Sequence, residues 1–212
     1  MKKMLGRMVR NALTAKDEWK EVNNRDGILV HFKPIEGSNI FAFKGQTVIQ
    51  ASIGKICQVL DDNDGRMDWL DMIIDAIELE RESDHISVFY QAFKPPFPVV
   101  KRDYVIRGEL VCDPKEKTVL LEMESVDHRN APPTVGVRAH LHHSSYQLRD
   151  LGNGSTDITV EIHTDPKGVI PTPIVNLIQR DWPYKTLKDL RRFVESQPDK
   201  EHPLVMKELY GK

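Results

Sequence analysis

The sequence predicts an α+β protein in which a strongly curved antiparallel sheet is closed by one long C-terminal helix. From Ile73 onward, apolar and polar residues alternate in runs joined by short turns such as SDH, DPKEK and GNGS, the mark of an antiparallel meander. Two shorter alternating runs precede it, followed by short helical patterns. The stretch 168–196, GVIPTPIVNLIQRDWPYKTLKDLRRFVES, is the longest helical pattern and supplies the cover that such a sheet needs.

In chain order, residues 1–15 place Met1, Met4, Leu5, Met8, Val9, Ala12 and Leu13 on one helical face and Lys3, Arg7 and Arg10 on the other. This basic amphipathic segment suits packing on its own domain or on a second copy, or contact with an anionic membrane surface. Its MKK start resembles a signal peptide, but Arg7 and Arg10 interrupt the apolar region that secretion requires. The expected location is cytoplasmic or membrane-peripheral, with a periplasmic one left open. The turn signal NRDG at 24–27 then opens a strand, GILVHFKP, and Ile40–Gln50 pairs back on it.

Ser52 is placed to cap a helix running to Leu60, which the acidic turn DDNDG ends. Counted from Asp61, a calcium loop would need glutamate at its twelfth position, where Met72 stands, so the turn reads as solvated. Trp69 falls on a second helical turn, DWLDM. The later strands are Ile73–Arg81, Ile86–Phe93, Tyr104–Cys112, Thr118–Ser125, Val135–Leu148 and Thr156–Thr164. In the closing helix, Pro171 and Pro173 suit a first turn with Thr172 as a possible cap. Ile174, Val175, Ile178 and Trp182 form one apolar arc; Leu187, Leu190 and Val194 form another nearly opposite. The phase changes near Pro183, which predicts a bend there and two halves with different partners.

Composition excludes several functions. Lys plus Arg is 30 against 32 for Asp plus Glu, a formal charge of -2, so no broad cationic surface exists for nucleic acid. Cys57 and Cys112 belong to no paired motif and read as buried thiols. No apolar run approaches the ~20 residues of a membrane span. G-x-S-x-G, Walker A, G-x-G-x-x-G and H-E-x-x-H are all missing, and no catalytic residue, metal or cofactor is predicted. His140 and His142 share a strand face with His143 opposite, but a metal would need a further ligand such as His163 or a carboxylate, and the run reads as a solvent-facing strand.

In KPPFPVVKRDYVIRGEL, Pro95, Pro96 and Pro98 cannot pair as a central strand, so a stiff connection precedes Arg102 and Asp103, which enter a strand on opposite faces. One of these charges therefore faces the covered side and needs a partner.

PPFPVVKRDYV, then PPTVGVRAH at 132–140, TDPKGVIPTPIVN at 164–176 and PYKTLKDLR at 183–191, resemble in order and spacing the signatures of the StAR-related lipid-transfer (START) domain family, bacterial type. The similarity spans about Trp19 to Ser196. It departs at the HLHH run, where bacterial relatives usually carry small residues. The resemblance implies a helix-grip fold like that of START and Bet v 1 proteins, with a hydrophobic tunnel for one lipid such as a sterol, phospholipid or sphingolipid. The helix over the tunnel and the loop before VGVR would move to admit it.

On that basis the chain divides into the segment 1–15, a lipid-binding domain at 16–197 and a tail at 198–212. The expected tunnel residues are Phe89, Phe93, Tyr104, Ile106, Ile174, Ile178 and Trp182, with Arg102 and Arg138 as polar anchors. At ~25 cal/mol per Å², burying several hundred Å² of lipid stabilises the complex by on the order of 10 kcal/mol. The alternatives are a polyketide cyclase or aromatase acting in the same cavity, which would need a titratable cluster there, and an interaction protein with a filled core.

Overall fold

The computed structural model describes residues 19–97 and 99–212, so the segment 1–15 lies outside the described residues. Strands β1 (Lys20–Arg25) and β2 (Ile28–Lys33) form a hairpin whose turn residues Asp26 and Gly27 have φ of 54° and 71°, the left-handed pair that a two-residue turn uses. β1 is absent from the sequence reading because KEVNNR carries almost no apolar alternation; its ladder to β2 makes it a strand. After β3 (Ala42–Ile49) comes helix α1 (Ile53–Asp61), where the Ser52 hydroxyl accepts from the Lys55 N–H at 3.2 Å, the expected cap. A 3-10 turn at Asp64–Asp68 follows, and Trp69, 3% exposed, stands at its end rather than on a turn of its own.

The remaining strands are β4 (Ile73–Ser83), β5 (Ile86–Phe93), β6 (Arg102–Asp113), β7 (Thr118–Ser125), β8 (Val137–Arg138), β9 (His140–Asp150) and β10 (Thr156–Asp165). They form one sheet ordered β1-β2-β3-β10-β9-β7-β6-β5-β4, antiparallel throughout except for β8, which runs parallel beside β6. Bulges at Glu21/Asn23, along β4 and at His163/Thr164 bend it. Helices α2 (Thr172–Arg180), α3 (Trp182–Ser196) and α4 (Pro203–Tyr210) complete the chain. This is the helix-grip α+β architecture.

Three expectations need correction. The strand expected over Val135–Leu148 is broken at Ala139, because the N–H groups of Val137 and Ala139 donate to the carbonyls of Lys101 and Asp103 before the chain crosses to pair with β7 and β10. The long C-terminal helix is two helices that meet at Asp181, so Pro183 lies in the first turn of α3, where its missing N–H costs nothing. Thr172 makes no cap; α2 begins after Pro171 without one. The residues after 197, set apart from the sequence as a tail, include α4. Val205 and Leu209 on α4 are buried in the main core, the His202 side chain caps α4, and Glu208 pairs with His85 at 2.7 Å.

Leu187, Leu190 and Val194 of α3 are fully buried against the concave face of the sheet. The approach depends on Gly45 of β3, where an added Cβ would stand 2.8 Å from Pro183 Cβ and 2.9 Å from Leu187 Cδ1. The Tyr184 hydroxyl donates to Asp26 at 2.5 Å, and the Arg25 guanidinium lies 3.5 Å from the centre of the Tyr184 ring, tying α3 to the first hairpin. Behind β5 and β6, a smaller outer core of Val88, Tyr90, Ala92 and Val105 is covered by Val126 and Ala131, so β5 is buried on both faces.

Leu190→Ala is expected to cost about 2–5 kcal/mol in denaturant unfolding as a core truncation. A chain ending at 197 is expected to melt at a clearly lower temperature than the full chain. An unchanged melting temperature would mean that α4 is not part of the cooperative unit.

Candidate functional site

α3 covers only one end of the concave face. At the other end, between the sheet and α2, lies a cavity of about 380 Å³. Strand alternation sets its walls, with the bulge at His163/Thr164 resetting the phase of β9 between Leu141 and Tyr146. Gln91 and Phe93 of β5, Tyr104 and Ile106 of β6, Met123 of β7, and Leu141 and Tyr146 of β9 all point inward. The first turns of α3 and the inner face of α2 contribute Trp182, Ile178 and Val175, and the mouth lies between the 95–99 and 166–170 segments.

Of the expected residues, Phe93, Arg102, Tyr104, Ile106, Ile178 and Trp182 gather around this cavity. Ile174 is 44% exposed and off its walls. Phe89 is buried behind the inner end, lining a separate void. Arg138 is on the opposite side of β6, where β8 places it beside Asp103; the fully buried Asp103 carboxylate pairs with Arg138 and accepts from the Val135 N–H at 2.8 Å and the Thr134 hydroxyl at 2.6 Å. Asp103 faces outward because Arg102 faces inward.

Arg102 does line the cavity, but its guanidinium finds carbonyls rather than a carboxylate. It donates to Val100 and, at 3.3 Å each, to Pro166 and Lys167, so it fastens the two segments that frame the mouth. The Thr164 hydroxyl donates to Tyr104 Oη at 3.2 Å, and Gln179 of α2 donates to the Thr164 carbonyl at 3.0 Å.

The inner end holds two polar groups that the sequence reading did not single out. Arg66, 3% exposed, donates from Nε to Asn63 Oδ1 at 3.2 Å and from Nη2 to the Leu60 carbonyl at 2.8 Å, and makes no ion pair with the described residues. Burial pulls its pKa down from the ordinary guanidinium value. Gln91, 4% exposed, has an Nε2 that is buried without an acceptor among the described residues. Burial pushes the nearby Tyr146 hydroxyl up to about 12, against the opposing pull of Arg66. Gln91 was legible as a polar residue at the inward spacing between Phe89 and Phe93. Arg66 was not, because DDNDGRMD reads as a solvated turn and only the fold buries it.

The mouth is rimmed by exposed apolar side chains. Phe97 and Val169 stand almost wholly in solvent and Leu177 is mostly exposed, with Lys94, Lys101 and Lys167 close by in sequence. On the outer face, the rings of His142 and His163 stack with centroids 4.7 Å apart and His140 meets His142 edge-on; none of the three lines the cavity. Burial, with repulsion between the imidazoles, lowers the pKa of His142 and His163. No helix among the described residues is long and apolar enough to cross a membrane.

A Pseudomonas aeruginosa protein, PA1579, is 29% identical over 193 residues, covering 88% of this chain and 91% of that one. The mouse phosphatidylcholine transfer protein is 28% identical over 184 residues, 84% of each chain. The fold is similar to that of human StAR-related lipid transfer protein 5, with a TM-score of 0.82 at 16% identity over 91% of this chain and 94% of that one. Residues 2–200 match the START domain, and the chain belongs to the START domain family.

Proposed function

We propose that the protein binds one lipid-like molecule at a time in the cavity, with the polar end at Arg66 and Gln91 and the apolar part between α2 and the sheet, and that it carries this molecule to and from membranes. The observation behind this reading is a buried guanidinium, at the inner end of an apolar cavity, that makes no ion pair among the described residues. Desolvating an unpaired charge is costly, and an anionic or strongly accepting group on a ligand offsets that cost where the protein does not. The cavity falls within the ~300–1,000 Å³ range of small-molecule sites. A relative named as a phosphatidylcholine transfer protein supports a lipid as the molecule class. The cyclase reading has less behind it, since among the described residues the walls include no histidine and, of carboxylates, only Asp181 at the joint between α2 and α3.

The rim supports a membrane as the place of exchange. Phe97 and Val169 expose apolar surface on both sides of the mouth, and lysines beside them match anionic head groups. Entry requires α2 to move relative to the segments held by Arg102, with the short joint at Asp181 as the pivot and α3 remaining docked through its buried leucines.

Arg66→Met is expected to weaken binding of a fluorescent fatty acid about ten- to a hundredfold, the worth of a hydrogen bond to a charged group, while leaving the melting temperature equal or higher. A large fall in melting temperature with unchanged affinity would make Arg66 structural and refute the anchoring role. Replacing Phe97 and Val169 together by serine is expected to slow lipid pick-up from vesicles without changing affinity for the monomeric fatty acid. Equal transfer rates would remove the rim from the exchange step.

A further inference from the structure

The volume of the cavity limits what it can enclose. A pocket of ~150 Å³ holds one benzene, about 25 Å³ for each carbon. At that density the cavity of about 380 Å³ between α2 and the sheet encloses about fifteen carbons. A single long acyl chain fills it, and a second chain has no place unless α2 moves away from the sheet. α2 contributes one buried residue, Val175, so packing alone holds it weakly. Side-chain hydrogen bonds hold it at both flanks instead. On one flank Asn176 bridges to the segment between β2 and β3: its Oδ1 accepts from the Phe41 N–H at 3.0 Å and its Nδ2 donates to the Asn39 carbonyl at 3.1 Å. On the other, Gln179 Nε2 donates to the Thr164 carbonyl of β10 at 3.0 Å, next to the segment that Arg102 fastens. Asn176 does not line the cavity, so its two bonds set the width of the space without touching what fills it.

We propose that this protein carries lipids with one acyl chain and excludes those with two, and that Asn176 is the positioning residue that enforces the limit by holding α2 at one distance from the sheet. α2 swings open for entry and recloses only over a single chain. Each methylene up to the length that fills the cavity leaves water and gains affinity, whereas those beyond it stand at the rim and gain little. A second chain must either stay outside in water or keep α2 parted from residues 39–41, which breaks both Asn176 bonds. The inference rests on the lipid-carrying reading of the cavity and adds to it the number and length of the chains.

The test loads the full chain with cis-parinaric acid and displaces it with saturated carboxylates from decanoate to eicosanoate. Affinity is expected to rise about three- to fourfold for each added methylene as far as hexadecanoate and to level off beyond it. Palmitoyl lysophosphatidate and dipalmitoyl phosphatidate, which share a head group and differ by one chain, are then presented in neutral vesicles. The two-chain lipid is expected to displace the probe at least about tenfold less effectively, the scale of overfilling a packed interior. Asn176→Ala is expected to narrow that gap severalfold, and Asn176→Asp, which keeps the acceptor for the Phe41 N–H, to narrow it less, with melting temperatures recorded to confirm folding. Comparing variants cancels the different tendencies of the two lipids to leave a vesicle. Affinity that climbs undiminished from hexadecanoate to eicosanoate, equal displacement by the two phosphatidates in the wild type, or a gap unchanged in both Asn176 variants overturns the proposal. Failure of the wild type to bind cis-parinaric acid would instead overturn the lipid reading itself, and the chain rule with it.

Discussion

The concave face of the sheet is longer than the helix that covers it, and the rest of the molecule follows from that mismatch. A curved antiparallel sheet with one apolar face cannot leave that face in water. α3 fills one end by pressing Leu187, Leu190 and Val194 onto β2 and β3, and it comes this close only because Gly45 presents no side chain to Pro183. The other end is left to α2, a short helix with one buried residue, Val175, and the space under it stays open. Dense packing at one end is thus what makes a cavity at the other end mechanically possible.

The two buried charges of this region show how differently the two faces of the sheet are treated. Asp103 on the outer face has its carboxylate satisfied by Arg138, Thr134 and the Val135 N–H, which locks the 132–138 loop against β6. On the inner face, among the described residues, Arg66 has two neutral acceptors and no ion-paired carboxylate, and Gln91 has a donor without an acceptor. A protein selected only for stability would not leave these groups unmet. Arg102 stands between the two cases: it lines the cavity, yet its donors hold the carbonyls of the two mouth segments. The inner end of the cavity is therefore the polar end with capacity to spare, and the mouth is the mechanical end.

α4 adds a constraint at the far end. Its Val205 and Leu209 join the main core, and its carboxylate Glu208 and the cap residue His202 reach back to His85 and Asp61, so the end of the concave face beyond Phe89 is closed by packed helices rather than by solvent.

Alternation and turn chemistry alone determined most of the architecture. Ile86–Phe93 and Thr118–Ser125 are strands with the ends that the sequence indicates, Ser52 caps its helix, and the inward spacing of Phe93, Tyr104 and Ile106 places all three on the cavity wall. These features are local, since a strand's period and a cap's hydrogen bond need only neighbouring residues. Other features depended on contacts between distant parts of the chain. Arg138 became a partner of Asp103 because β8 breaks away to run parallel beside β6, Phe89 lines a separate void behind the cavity, and Arg66 left its polar turn for the interior. The residues after 197, with apolar side chains at Leu204, Val205, Met206, Leu209 and Tyr210, became part of the core by packing on α1 and β6. Sequence periodicity assigns a side chain to a face; which neighbour meets it there, and whether a charge on that face finds its counter-ion, is decided only when strands and helices far apart in sequence are brought together.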